Sequence, residues 1–493
     1  MKIKDIINFY HNVEHNLSAE VLNKELINIT DNSQEVVEGS IFVAIVGEKF
    51  NGVDFTPQAL DNGALVVVLP LEYKNKLNHE NIIFVENTRD FLSRGIFYLN
   101  KHDIPENIIT ISGTNGKSST SFFVSQFLNY LQIKNMVIGT LGIYIDGKKV
   151  QDCLTTPSAT TLMEYFKIAT KNNIKFVVME SSSHGIEQHR VDGLHFKAVG
   201  FTNLTQDHLD YHKTMENYFL AKARLYTSDL SDTSVINIDD EYGDRLSGLA
   251  KKSGKKVLDY GFKAKDGLQI LEITKHNTSQ SVRVLYKNQE YIVNINLMGE
   301  FQVYNILCAM GILLNLGFSI TELADITPKL QQIEGRLNLI LPKNQDKANS
   351  KIFVDFAHSP NALEEVLKIL KKEEHNKLLV VFGCGGNRDK TKRPIMGAIS
   401  AKYADIVYIT DDNPRFEDAT TIRNEIEQGI TKRDNLVVHN IAGRKSAIAK
   451  AIADLNSGDI LLVAGKGHED YQIIGDKKHH FSDSETILEI LGK

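Results

Sequence analysis

The stretch "NIITISGTNGKSSTSFF", residues 107–123, limits the fold of this chain more than any other. An apolar, β-rich run passes through two glycines and a lysine into a hydroxyl-rich helical segment. Glycines let backbone N–H groups come close to phosphate oxygens. A helix starting near Ser118 aims its N-terminal N–H groups and dipole at the same anion. In such a loop, Gly113, Thr114, Asn115 and Gly116 cradle phosphate, Lys117 reaches the outer phosphates, and the hydroxyls of Ser118 and Ser119 follow, Ser118 suited to Mg²⁺. The common motif has four residues between its first glycine and Gly-Lys. This chain has two, which leaves a tight strand-to-helix turn with a surface lysine as the competing reading.

A strand that feeds a helix implies parallel neighbours, and the sequence supplies them. Strand signals at "FVVMES" (176–181), "AVGFTN" (198–203) and "SVINID" (234–239) are separated by helical stretches, as in a largely parallel sheet. Before residue 103 lies a small α/β unit with strands at 40–47, 64–69 and 81–87 and a helix at "TPQALDNG". "KHDIPEN" (101–107) reads as a linker. Residues 266–298 alternate apolar and polar residues, as an antiparallel appendage would. "PKNQDKANS" (342–350) is a second polar boundary. Beyond it, "KIFVDFAH", "KLLVVFG", "ADIVYIT" and "DILLVAG" are four strands, each running into a polar loop: "AHSPN", "GCGGNRDKTKRP", "DDNPRFED" and "GKGHEDYQ". Ligands bind outside the carboxyl ends of strands in open parallel sheets, so these loops mark a second site.

With 493 residues the chain needs several cores. Its net charge of −6 gives no basic surplus for a nucleic-acid backbone. Three scattered cysteines fit a reducing compartment and no metal-ligand spacing. No apolar run approaches the ~20 residues of a membrane span, and the N-terminus has no signal-peptide core. A cytoplasmic enzyme of small molecules, without nucleic-acid partners or membrane insertion, is expected. Two further stretches end strands in carboxylates and imidazoles: "VVMESSSHGIEQHRV" (177–191), with Glu180, and "TNLTQDHLDYH" (202–212), with His208. They can set hard oxygens and a nitrogen near the phosphates, a donor set for Mg²⁺ rather than zinc.

In order along the chain, "GTNGKSS", "TTP", "ESSSHGIEQHRV", "NLTQDHLDYH", "YFLAKARLY", "EGRLN", "DFAHSP", "DDNPR" and "GKGHEDYQ" resemble the Mur ligases, ATP-dependent enzymes that build the peptide of bacterial peptidoglycan. The resemblance covers essentially the whole chain. It implies an α/β protein of three domains: a small N-terminal UDP-sugar domain (1–103), a central P-loop ATPase-like domain with a mostly parallel sheet (104–337), and a Rossmann-like amino-acid domain (338–493). It implies a monomer acting in cell-wall synthesis, and hence in cell shape and division. The reaction implied is ligation of meso-diaminopimelate to UDP-N-acetylmuramoyl-L-alanyl-D-glutamate through an acyl phosphate, with ATP and Mg²⁺. L-lysine as the added amino acid and a folylpolyglutamate synthase-like ligation are the alternatives. The 100-residue unit ahead of the phosphate loop speaks against the latter.

The resemblance also implies roles for single residues. Lys117 and Ser118 serve ATP and one Mg²⁺; Glu180, His208 and a carbamylated Lys222 serve a second. By residue type alone Lys222 reads as an exposed helix lysine. Thr155, Thr156, Ser182, Gln188 and Arg190 hold the muramoyl dipeptide, with Ser33 as a uridine contact. The family often carries Asp-Ser-Arg at that point, where this chain has Asn32-Ser33-Gln34. Asn305, Arg336, Asp355 and His358 match nucleotide contacts; Gln302 stands where the family usually has Asn. Arg388, Asp412, Asn413, Pro414, Arg415, Gly465 and Glu469 match the amino-acid site. There Arg415 would take the distal carboxylate of diaminopimelate and Glu469 an ammonium.

Overall fold

The computed structural model describes residues 1–493 except 12, 48–49, 75, 77–78, 343–348 and 493. Most of the polar stretch expected as the second boundary thus lies outside the described residues. The chain divides into two compact units. The first comprises 1–275, 281–295 and 303–330, and the second 276–280, 296–302 and 331–493.

The first unit holds two sheets. β1 (Glu14–His15), β2 (Asn28–Thr30), β3 (Ser40–Val43), β4 (Val66–Pro70) and β5 (Ile82–Val85) form one, in the order β1-β5-β4-β3-β2. All its pairings are parallel except that of β1. The eleven strands of the other are β6 (Asn107–Ser112), β7 (Asn135–Gly139), β8 (Gly142–Ile145), β9 (Lys148–Gln151), β10 (Phe176–Glu180), β11 (Ala198–Phe201), β12 (Thr233–Asn237), β13 (Lys256–Gly261), β14 (Leu268–Lys275), β15 (Gln280–Tyr286) and β16 (Gln289–Ile295). Their order is β16-β15-β14-β13-β12-β11-β6-β10-β7-β8-β9. From β7 to β14 the pairing is parallel, with β6 between β10 and β11. The near-complete burial of β6, β7, β10 and β11 is that of a sheet covered on both faces. One core runs through both sheets by way of the helix Thr88–Leu99, whose Phe97 meets Phe166 at 6.2 Å between ring centroids.

The segment expected as an appendage is instead the edge of this sheet. Its turn, Lys287-Asn288, has positive φ at both residues (50° and 62°), as a two-residue hairpin with the right twist requires.

In the second unit β17 (Asn338–Ile340), β18 (Lys351–Asp355), β19 (Leu378–Phe382), β20 (Ile406–Ile409), β21 (Val437–Asn440) and β22 (Ile460–Ala464) line up as β17-β18-β22-β19-β20-β21. Only β17 is antiparallel. Separate apolar cores cover the two faces. The four strands with polar loops, β18, β22, β19 and β20, are neighbours, so their loops emerge side by side.

Candidate active site

In the first unit the phosphate loop leaves β6 and is shaped by contacts that glycine alone allows. A Cβ on Gly113 would lie 1.9 Å from Thr202 Oγ1, and one on Gly116 2.3 Å from Asn305 Oδ1. Gly116 also has φ 84°. Asn305, expected to contact nucleotide, therefore stands against the loop. The strand after β6 in the sheet supports it: Thr114 N donates to Asn203 O (2.9 Å), Asn115 N to Asn203 Oδ1 (3.0 Å), and Thr202 Oγ1 to Asn115 O (2.6 Å). Lys117 opens the helix Lys117–Tyr130 and folds over the loop, donating to Gly113 O (3.0 Å) and Thr114 O (2.8 Å). Ser118 and Ser119 are buried in the first turn.

Lys222 is not an exposed helix lysine. It is 2% exposed and donates to Gly113 O at 2.9 Å, with Ser112 Oγ at 3.4 Å and its Nζ 4.9 Å from the centre of the Tyr218 ring. Burial and the nearby charge of Lys117 hold its amine well below the ordinary lysine range. The His208 ring lies edge-on to His184 at 4.8 Å and 6.2 Å from Tyr218, so it belongs to the same neighbourhood.

Glu180 ends β10 with no exposure. Thr140 holds both its oxygens, donating from N to Oε1 and from Oγ1 to Oε2 at 3.0 Å each. A chain of hydrogen bonds ties this carboxylate to most of the expected dipeptide residues. Thr140 Oγ1 meets Thr155 Oγ1 (3.0 Å), and Thr156 Oγ1 lies 3.0 Å from Glu180 O and 3.1 Å from Ser182 Oγ. Arg190 donates to Thr156 O (2.6 Å) and Gln188 Oε1 (2.7 Å). Ser33 stands apart: its hydroxyl donates to Gln58 Oε1, and it does not line the cavity of about 380 Å³ walled by Gln188 and Arg190.

The second unit gathers the expected amino-acid residues. Arg415 takes φ 52°, rare for a side chain other than glycine, and donates from Nη1 to Gly386 O at 2.9 Å. Asn413 Nδ2 donates to Glu469 Oε2 (3.3 Å), and Asn413 N to Asp412 Oδ1 (2.7 Å). Pro414 O packs where a Cβ on Gly386 would fall, and a Cβ on Gly465 would meet Asp412 Oδ2 at 3.2 Å. Arg388 is exposed on the neighbouring loop. Asp355 accepts from Leu337 N and Ala357 N (2.8 Å each); burial raises its carboxyl against the pull of Arg336. Arg336 lies over the Phe356 ring, which packs edge-on against His358.

Residues 111–313 match the Mur ligase middle domain and residues 335–467 the Mur ligase glutamate ligase domain. Over its whole length the chain is 38% identical to the UDP-N-acetylmuramoyl-L-alanyl-D-glutamate–2,6-diaminopimelate ligase 1 of Clostridium acetobutylicum, covering 99% of that protein. The chain belongs to the Mur ligase family. It is also 40% identical to the ligase of the same name from Rickettsia prowazekii, over 97% of this chain and 98% of that one. A solved structure of a UDP-N-acetylmuramoyl-L-alanyl-D-glutamate–2,6-diaminopimelate ligase superposes with a TM-score of 0.71 at 31% identity, covering 100% of this chain and 99% of the other.

Sequence reasoning missed several residues on which this Mur ligase's sites rest. Lys466 is fully buried and donates to Asn413 Oδ1 (3.1 Å) and Tyr471 O (2.5 Å), with Glu469 Oε2 at 3.6 Å. Burial pushes its amine down and the Glu469 carboxyl up. Arg393, near the end of the stretch "GCGGNRDKTKRP" read as a polar loop, is buried in the helix Lys392–Tyr403. It binds Glu417 and Glu425 and so clamps the loops after β19 and β20. Arg444 pairs with Asp483 through two 2.7 Å bonds and donates to Ala464 O, fixing the end of β22. Lys466 lies within "GKGHEDYQ" and Arg393 within "GCGGNRDKTKRP", where neither was singled out; Arg444 offered only a cation in a segment otherwise fit for burial.

Among the described residues the acid–histidine cluster compact enough for a metal is Asp90, His189 and Asp192, which no motif suggested. Arginines already occupy it. Arg94 Nε donates to Asp90 (2.9 Å) and Arg224 Nη2 to Asp192 (2.5 Å), which makes it a salt-bridge network between the helix Thr88–Leu99 and the central sheet.

Proposed function

We propose that this Mur ligase uses ATP to join the terminal carboxylate of UDP-N-acetylmuramoyl-L-alanyl-D-glutamate to an amino group of meso-diaminopimelate. The observation that carries the reading is that the Arg415 guanidinium and the Glu469 carboxylate, on two strand-end loops of one sheet, both reach Asn413, Arg415 Nη1 at its O (3.5 Å) and Glu469 Oε2 at its Nδ2 (3.3 Å). A planar guanidinium matches a carboxylate in two bonds, and a carboxylate holds an ammonium. Diaminopimelate carries both groups at its far end, whereas L-lysine has no distal carboxylate. The names of the full-length relatives support the same reaction.

The assignment of roles follows the segments 1–103 for the nucleotide sugar, 104–337 for ATP and 338–493 for the amino acid. Lys117 neutralises charge as the γ-phosphate moves to the acceptor carboxylate, and the backbone N–H groups of Gly116, Lys117, Ser118 and Ser119 fix that phosphate in line. Phosphoryl transfer of this kind depends on positioning and neutralisation rather than a protein nucleophile. Thr155, Thr156, Ser182, Gln188 and Arg190 orient the dipeptide. The amine held at Arg415 and Glu469 then attacks the acyl phosphate, giving a tetrahedral intermediate that loses phosphate and becomes the amide. Arg336, Asp355 and His358 are kept as nucleotide contacts of the second unit, and Ser33 as a uridine contact.

The central residues suit Mg²⁺. Neutral donors hold both Glu180 oxygens, so its buried negative charge is left for a cation, and Ser118 and His208 complete a hard donor set. Burial and the charge of Lys117 hold the Lys222 amine down, which favours the neutral form that carbon dioxide can convert to a carbamate, a further anionic donor. Bound Mg²⁺ would neutralise phosphate charge. The test is a matrix of nucleotide-linked dipeptides against amino acids with ATP and Mg²⁺, read by product mass. The expected product carries diaminopimelate; equal or better turnover with L-lysine would overturn the reading.

A further inference from the structure

The loop after β22 carries a lysine that solvent does not reach. Lys466 is fully buried two residues beyond the strand. An ammonium has three donors and no acceptor, so burying one obliges the protein to supply partners. The close ones are neutral: Asn413 Oδ1 at 3.1 Å and Tyr471 O at 2.5 Å. Its counter-charge, Glu469, stands off at 3.6 Å and is partly exposed. Lys466 thus bonds the frame of the site and leaves Glu469 open to a second cation. Asn413 is fixed from the same side. Its Oδ1 also accepts from Ile473 N (2.9 Å), and two donors there oblige Nδ2 to face Glu469. Ile473 O in turn accepts from Arg415 N (3.1 Å), so the same network holds the backbone behind that guanidinium. Besides Lys466, Glu469 is faced by Tyr471 Oη (3.4 Å), by Asp412, and by Arg444, which Asp483 already binds. Burial raises the Glu469 carboxyl, and Lys466 is the chief group opposing it.

We propose that Lys466 is a positioning residue of the amino-acid site: its ammonium pins the Asn413 amide and holds the Glu469 carboxylate ready for the ammonium of the incoming amino acid. The lysine acts through Asn413 and Glu469 and touches no reacting atom. Without it, a half-buried Glu469 beside Asp412 would take up a proton at higher pH, and a protonated carboxyl no longer attracts an ammonium. The assignment deepens the amino-acid site of the proposed reaction and rests on that reading for the identity of the amino acid.

The experiment compares the full chain with Lys466→Met, which keeps the length and removes the charge, with Glu469→Gln, and with the double variant. In steady-state kinetics from pH 5.5 to 8, Lys466→Met should raise KM for diaminopimelate by about ten- to a hundredfold, as losing a bond from a charged donor does. KM for ATP should stay as it was. The loss should grow as pH falls, with an acid limb about 1–3 higher on the pH scale than in the unaltered enzyme. Glu469→Gln should show no such limb. A Lys466→Met enzyme with the unaltered pH profile would overturn the proposal whatever the size of its loss, because a merely structural lysine moves no limb. Urea unfolding gives a reading free of substrate. At pH 8, Lys466→Met should destabilise the parent more than it destabilises the Glu469→Gln background, and the excess should shrink at pH 5 as Glu469 takes a proton. The double variant should thus recover part of the lost stability even where Lys466→Met folds too poorly for kinetics. Equal losses in both backgrounds at pH 8 would also overturn the proposal. An unaltered enzyme that ligates no diaminopimelate removes the reaction and leaves the unfolding comparison to decide the role of Lys466.

Discussion

Gly139 has no room for a side chain. A Cβ there would fall 2.1 Å from Glu180 Oε1, a carboxylate oxygen buried at the end of its strand. Gly139→Ala should push Glu180 off Thr140, cost about 1–3 kcal/mol of stability through overpacking, and reduce turnover more than tenfold. Urea unfolding and kcat measure the two effects. Lys117→Ala should lower turnover by about 10²- to 10³-fold, the worth of one electrostatic contact to developing charge, while circular dichroism stays unchanged. Arg415→Ala should raise KM for diaminopimelate and leave ATP binding as it was, measured by steady-state kinetics and nucleotide titration. The strand, loop and helix at 107–130 were readable because an apolar run passes through two glycines and a lysine into a helical segment. Lys222 was not: its type argues for solvent, and only the tertiary structure brings it under Tyr218 and against Gly113.

The helix Thr88–Leu99 joins the small sheet to the large one through charge as well as apolar packing. His189 Nδ1 lies 2.6 Å from Asp192 Oδ2 and 3.6 Å from Asp90 Oδ1, and Asp90 also accepts from Tyr10 and Arg94. Burial opposes the His189 cation, but Asp192 and Asp90 outweigh it and hold its pKa above the ordinary value. Asp90 is held below the usual carboxylate range by His189, Tyr10, Asp192 and Arg94, again against burial. The contribution of His189 is therefore fully present below its unfolded pKa of about 6.5 and is lost as pH rises through the higher folded value. That of Asp90 is present above about 3.9 and is lost as pH falls through its lower folded value. His189→Gln should accordingly lower Tm more at pH 5.5 than at pH 8.5, measured by thermal unfolding at both. Elements were legible where their burial pattern was pure. The apolar strands β6, β10, β11, β18, β19 and β22 stood out as runs. β9, exposed at all four residues, and β8 beside it carry no such pattern and were invisible. β7 and β13 were passed over although each is largely buried, because neither ends in a loop with chemistry to mark it.

The whole molecule is two compact units with cores of their own. Calorimetry should resolve two transitions, the first unit's raised by UDP, the second's by diaminopimelate and both by ATP, since a ligand stabilises each body that binds it. A single transition shifted alike by every ligand would contradict this. The sheet order of the second unit also has a consequence in time. β22 is the last strand of that sheet to be made, yet it lies between β18 and β19, which leave the ribosome far earlier. Until Ile460–Ala464 is synthesised, the sheet has a gap at its centre, and the loop bearing Gly465 and Glu469 does not exist. The nascent second unit must therefore wait as an open sheet with two unpaired inner edges, the kind of long-range closure that folds slowly and invites aggregation. A ribosome stalled before residue 460 should hold a chain whose first unit resists protease while its second is cut freely. In this protein the loop proposed to hold the added amino acid is made after every strand of the sheet that carries it.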